Sequence, residues 1–201
     1  MTDLTEPLET AEKAVPAKPL RGKAKPRGNG GAATRKRALP EAKLLEFAEL
    51  LFFAYRDFTR DPDAILKDFG FGRAHHRVLH FVNRHSGLRV VDLLDILTIT
   101  KQSLSRVLKQ LIDQGYIVQQ AGSADRRERL LFPTERGRAL AERLAAPQLV
   151  RLFEALKAAG PGSEAVLRHF LESMVNAEER PKVSSIMASP VPHDAGNKGD
   201  G

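Results

Sequence analysis

Between residues 101 and 132 the chain gathers side chains suited to reading duplex DNA. Lys101, Gln102, Ser103, Ser105, Arg106 and Lys109 lie along one segment of helical period. Glutamine pairs bidentately with adenine, arginine or lysine with guanine, and serine accepts either kind of base edge. Asp125, Arg126 and Arg127 follow in a polar loop, and arginine is drawn to a narrow minor groove. Eight basic and four acidic residues fall between 101 and 138, so positive charge is concentrated where those side chains stand.

Those side chains need elements to hold them. The spacing predicts a helix from Arg73 to His85, with Val78, Leu79, Phe81 and Val82 inward and Gly87 as its stop. Leu88 to Val90 reads as a short extended piece, and Val91 to Leu97 as a second helix. Thr98-Ile99-Thr100 forms a tight turn, and Thr100 caps a third helix running to Gln114. Leu104, Leu108 and Leu111 supply that helix with an apolar face behind its polar start, and Gly115 ends it. Tyr116–Gln120 and Arg129–Phe132 are β-type runs joined by a basic loop, hence a hairpin. Helix, tight turn, helix and basic hairpin together suit major-groove entry by the second helix of the pair.

Outside this region the pattern is helical. Pro40 and Glu41 open a first helix, with the acid at the positive end of its dipole. From Leu44 to Phe58 that helix is apolar over most of its circumference, so it calls for burial on more than one side, as a second copy of the chain would provide. Asp61-Pro62 is expected to start a short separate turn ending near Gly70. A long helix begins at Thr134-Glu135, with Pro147 expected to kink it. Gly160-Pro161-Gly162 breaks the chain, and Ser163 is expected to cap the last helix.

Composition narrows the function classes. Net charge is +7 in 201 residues, which favours a polyanionic partner. Nine Lys or Arg and no acid lie between Lys13 and Arg37. Residues 1–39 are accordingly read as a disordered basic tail that either contacts DNA or acts as a spacer, and residues 181–201 as a disordered C-terminal tail. No apolar run approaches the ~20 residues that span a bilayer, and the acidic, polar start lacks the layout of a secretory signal. The reading is a cytoplasmic, nucleoid-associated protein with no membrane partner. Cysteine is absent, which excludes thiol redox sensing and Cys-ligated metal. No nucleophile elbow, metal-ligand set or phosphate loop is present, so no enzyme activity and no cofactor are expected. RGNGGAA at 27–33 follows no strand and fails the context of a nucleotide loop. His76 and His80 stand at i, i+4, a spacing that can hold a metal, but no nearby acid completes a shell. They read as surface or hydrogen-bonded histidines.

Residues 75–140 resemble the MarR family of bacterial regulators. The resemblance rests on the wing phrase Asp125-Arg126-Arg127, on Leu131, Thr134, Glu135 and Gly137 after it, and on LIDQGYIVQ at 111–119. It implies a mainly α fold with a small β-hairpin wing: a winged helix-turn-helix at about 73–134 and dimerisation helices at about 41–60 and 135–180. It implies a homodimer on a pseudo-palindromic operator in double-stranded DNA, often relieved by a small-molecule effector. By position, Lys101, Gln102, Ser103, Ser105 and Arg106 would face the major groove. Arg127 would enter the minor groove, oriented by an ion pair with Asp125. Leu94 stands where the family usually has Ala, and Phe132-Pro133 replaces the common residues before Thr134. The alternative function is a nonspecific architectural DNA-binding protein.

Overall fold

The computed structural model describes residues 39–123 and 125–188. The basic segment expected to be a disordered tail therefore lies outside the described residues, Leu39 excepted. Seven helices and three short strands follow in order among the described residues. They are α1 (Glu41–Lys67), α2 (Arg73–Arg84), β1 (Leu88–Arg89), α3 (Val90–Leu97) and α4 (Lys101–Asp113). After these come β2 (Ile117–Ala121), β3 (Arg129–Pro133), α5 (Glu135–Ala159), α6 (Ser163–Met174) and α7 (Arg180–Ala188).

One core holds α2, α3, α4 and the sheet together. Val78, Leu79 and Val82 of α2 meet Leu93 of α3, Leu104 and Leu111 of α4, and Leu131 of β3, all fully buried. These are the positions that the helical and strand periods point inward. Leu140 and Leu144 carry the same core into the first half of α5. The sheet is antiparallel in the order β1-β3-β2, with Ile117 opposite Pro133 and Leu88 opposite Leu131. The expected hairpin thus gains a third strand, two residues long, at its edge.

Four expectations are corrected. Asp61-Pro62 starts no separate turn, because α1 runs on through a buried Pro62 to Lys67. A proline inside a helix removes one N–H and leaves the carbonyl four residues earlier without its partner. That carbonyl is Phe58, and it accepts a hydrogen bond from Gln148 Nε2 of α5 at 3.2 Å. Ser163 is not a cap: Gly162 holds that position with φ +79°, while the Ser163 hydroxyl donates to the Leu156 carbonyl at 3.1 Å. Residues 181–188 are helical rather than an unstructured tail. Proline is tolerated in the first turn of a helix, and Val183 and Ile186, three residues apart, half-bury one face. Arg180 ties the start of α7 to the end of α6 through the Val175 and Ser173 carbonyls, at 3.0 and 2.8 Å. The fourth lies at Asp125, in the wing loop.

The start of α5 is locked to the sheet by a small set of contacts. Thr134 accepts from the Gly137 N–H at 3.0 Å as N-cap, and its hydroxyl donates to the Gly115 carbonyl at 2.8 Å. The Tyr116 carbonyl passes so close to Gly137 that a β-carbon there would collide with its oxygen. Tyr116 itself is buried edge-on to Phe71, ring centroids 5.2 Å apart, with the Arg136 guanidinium 4.4 Å from its ring centre. These contacts give Thr134 and Gly137, which follow the wing phrase, a physical role.

Candidate nucleic-acid interface

The turn between α3 and α4 is closed by Thr98 in the left-handed region, φ +51°, with its N–H donating to the Leu94 carbonyl. Thr100 then caps α4: its hydroxyl oxygen accepts from the Ser103 N–H at 3.2 Å and donates to Ser103 Oγ at 2.9 Å. The buried face of α4 is Leu104, Val107, Leu108 and Leu111. The opposite face carries Gln102, Ser105, Arg106 and Lys109, at i, i+3, i+4 and i+7, all exposed. Lys101 is exposed beside them. Ser103 is half-buried and engaged in the cap. Lys109 pairs with Asp113 one turn on.

The wing is closed by backbone and side-chain bonds. Gly122 N–H donates to the Glu128 carbonyl at 3.1 Å, and Glu128 N–H donates to the Asp125 carbonyl at 3.0 Å. Asp125 Oδ1 accepts from the Arg127 backbone N–H at 2.8 Å. That is an Asx-type turn. Among the described residues no ion pair joins Asp125 to Arg127, so the expected ion pair is corrected: Asp125 shapes the backbone and leaves the guanidinium free. Arg126, Arg127 and Arg129 are all exposed.

α4 and the wing share one cleft of about 420 Å³, lined by Lys101, Ser105, Asp125, Arg127, Glu128 and Arg89 among others. Lys101 and Ser105 of α4 therefore face Arg127 and Arg129 of the hairpin across this cleft, while Gln102, Arg106 and Lys109 are exposed outside its lining. Arg89, Glu128 and Arg129 were not singled out in the sequence; the one local signal was the i, i+3 pairing of Arg89 with Asp92. Hydrogen bonds to Asp92 first and Glu128 second hold the Arg89 guanidinium above its ordinary pKa.

The histidines lie elsewhere. His75 Nδ1 accepts from the Gly72 N–H at 3.1 Å, so Nε2 carries the proton that reaches Gln110 Oε1 at 2.9 Å. His76 and His80 line a pocket of about 280 Å³ between α1, α2 and α5, together with Tyr55, Asp63, Arg73 and Gln148. Asp63 pairs there with Arg73 at 2.7 Å. Among the described residues no group of three or more His, Cys, Asp or Glu could hold a metal.

Burial lowers the pKa of His76, and lowers that of His80 to about 4, aided by the neighbouring His76, Arg84 and His85. Burial thus favours the neutral form of both rings in the folded chain. A depressed histidine contributes stability that is full above its unfolded value of 6.5 and is lost as pH falls toward 4. His80 is nonetheless exposed at the surface of the single chain, so solvent screening makes the effect small. His80→Gln is expected to flatten the fall of the urea midpoint between about pH 6.5 and 4 relative to the parent protein. An identical pH profile in the variant would contradict this.

Comparison with known proteins agrees with the geometry. Residues 69–128 match the model of the MarR family. The HTH-type transcriptional regulator PetP of Rhodobacter capsulatus is 47% identical over 142 residues, which is 71% of this chain and 86% of that protein. A MarR transcriptional regulator from Methanosarcina mazei Go1 superposes with a TM-score of 0.53 at 24% identity, covering 69% of this chain and 99% of that one. A mutant of MarR from E. coli, complexed with operator DNA, superposes with a TM-score of 0.51 at 20% identity, covering 67% and 96%. The two structures carry the same winged-helix fold, and the 47% relative together with the family match settles the class: the chain belongs to the MarR family of transcriptional regulators.

Proposed function

We propose that the chain acts as a homodimer in the cytoplasm on a pseudo-palindromic operator, reading base edges with α4 and flanking the duplex with the wing. The observation that carries this reading is the cleft that Lys101 and Ser105 of α4 share with Arg127 and Arg129 of the hairpin, with Gln102, Arg106 and Lys109 exposed on the same helix. Gln102, Ser105 and Arg106 are the base readers, and Lys101 and Lys109 approach phosphates. Arg127 enters the minor groove, and Arg126 contacts the backbone next to it. Ser103 contributes by holding the cap.

The dimer is inferred from α1, α5 and α6. Every residue from Glu41 to Arg56 is exposed in the single chain, including Leu44, Phe47, Leu51 and Phe53. Leu149, Leu152, Phe153 and Phe170 are exposed as well. Apolar surface on that scale requires a partner, and a second copy of the same chain supplies one. The pocket between α1, α2 and α5 is the place for a small-molecule effector, since it lies where the dimerisation helices meet the winged helix. No helix among the described residues is long and apolar enough to cross a membrane.

Arg127→Ala is expected to weaken operator binding by about 1–3 kcal/mol with the dimer intact. Gln102→Ala and Arg106→Ala are expected instead to change which bases are preferred at one position in each half-site. Titrations on a panel of single-base operator variants separate the two effects. If all three variants bind the panel like the parent protein, the interface has been assigned wrongly.

A further inference from the structure

Arg89 stands where β1 turns into α3. It is the last residue of the edge strand, paired with Leu130 of β3, and the N-cap of the helix. Its guanidinium makes three hydrogen bonds. Nε and Nη2 donate to the two oxygens of Asp92, each at 2.7 Å, and Nη1 donates to Glu128 Oε1 at 3.1 Å. The fork to Asp92 is bidentate, which fixes the plane of the group. Asp92 sits in the first turn of α3, where an acid is favoured by the helix dipole. Arg89 is therefore anchored on the helix-turn-helix and reaches out from there.

What it reaches is the hinge of the wing. Glu128 closes the wing loop through both of its backbone groups, as described above, and is the residue next to Arg127. The two-residue strand β1, and the core shared by Leu93 of α3 and Leu131 of β3, hold the base of the hairpin to α3, and Arg89 adds a link nearer the wing loop. Arg89, Glu128, Arg127 and Lys101 all line the one cleft.

We propose that Arg89 is a positioning residue for DNA binding: anchored by Asp92, it holds Glu128 and so sets the distance of Arg127 from α4. This rests on the reading that the wing contacts DNA. The tether acts through geometry, which separates it from bulk charge. Glu128 is an acid close to the phosphates, so removing its charge would tighten DNA binding if electrostatics alone mattered. If it holds the wing, removing its charge weakens binding. Arg89→Lys makes a second contrast, because it keeps the charge but loses the fork that spans two carboxylates.

The experiment is operator titration of the full-length Glu128→Gln, Arg89→Lys, Arg89→Gln and Arg127→Ala variants, with Arg89→Gln also combined with Glu128→Gln and with Arg127→Ala. An exposed network of this kind corresponds to weakening of about 2- to 5-fold for Glu128→Gln and Arg89→Gln. Arg89→Lys is expected to be weaker than the parent protein. The Arg89→Gln/Glu128→Gln double variant should be no weaker than the worse single one. The cost of Arg127→Ala should shrink in the Arg89→Gln background. Glu128→Gln binding as tightly as the parent protein, or more tightly, while Arg127→Ala binds weakly, overturns the tether alone. Arg127→Ala binding normally overturns the wing contact and the tether with it. Unchanged melting of each variant shows that the change is in positioning and not in folding.

Discussion

Phe47→Asp is expected to separate the dimer and, with it, to abolish tight operator binding. Phe47 lies in an apolar groove of about 910 Å³ formed with Leu152, Leu156, Val166 and Phe170, and it is exposed in the single chain. Phe47 is 53% exposed in the single chain, so covering it contributes about half of the roughly 1.5–3 kcal/mol of a fully buried phenylalanine. In a two-fold interface each substitution counts twice, so the dimer weakens by about 1.5–3 kcal/mol, roughly 10- to 10²-fold in its dissociation constant. The added carboxylate would also be buried without a partner, which pushes the effect to the upper end. No residue of the groove belongs to the buried winged-helix core, so that core has no contact to lose directly. Sedimentation at micromolar concentration, with helicity followed by circular dichroism, checks this. A variant that sediments as a dimer would remove the groove from the interface.

Gly137→Ala has the second large effect, and its sign decides between two principles. Alanine favours a helix over glycine by about 0.8–1 kcal/mol, so propensity alone makes the substitution stabilising in α5. Space reverses this. A β-carbon at 137 would overlap the Tyr116 carbonyl oxygen and lie 3.0 Å from its carbon, and neither is the end of a flexible side chain. The Tyr116 carbonyl also accepts from the Thr134 N–H at 3.1 Å, so it cannot retreat without losing the bond that seats the cap residue of α5. Net destabilisation of about 1–3 kcal/mol follows, in the range of overpacked cores. Urea denaturation at fixed protein concentration measures it. Equal or greater stability in the variant would show that the close approach is not maintained.

The sequence disclosed those parts of the molecule that depend on local period. Leu104, Leu108 and Leu111 announced the buried face of α4, and Thr100 announced its cap. The apolar girdle from Leu44 to Phe58 announced a surface that one chain leaves uncovered. What stayed hidden depends on residues far apart. The persistence of α1 through Pro62 requires Gln148, 90 residues away, to satisfy the Phe58 carbonyl. A two-residue strand such as β1 has no period to read, and its existence depends on Leu130 and Leu131 across the sheet. Helix α7 shows only Val183 and Ile186 as an apolar face, and its ion pair from Lys182 to Asp95 at 3.6 Å is invisible from residue order.

The candidate site divides in the same way. The exposed face of α4 and the arginines of the wing were readable, because exposure there follows from the period of the buried face. The role of Asp125 was not. The spacing Asp-Arg-Arg permits either an ion pair with the guanidinium or a turn onto the backbone N–H, and the folded loop takes the second. Arg89 and Glu128 are 39 residues apart and meet only because β1 lies beside β3. Nothing in either neighbourhood marks them as partners.

The central claim is that two copies of α4 and two wings read one two-fold DNA site. Footprinting of the full-length protein on a fragment selected from the source genome tests this most directly. Two protected half-sites related by a dyad and centred about one helical turn apart, roughly 34 Å, are expected, with two protomers per site. Protection lost together by Arg127→Ala and Phe47→Asp would belong to the same result. A single unrelated half-site, or protection no tighter than that of random duplex, would contradict it.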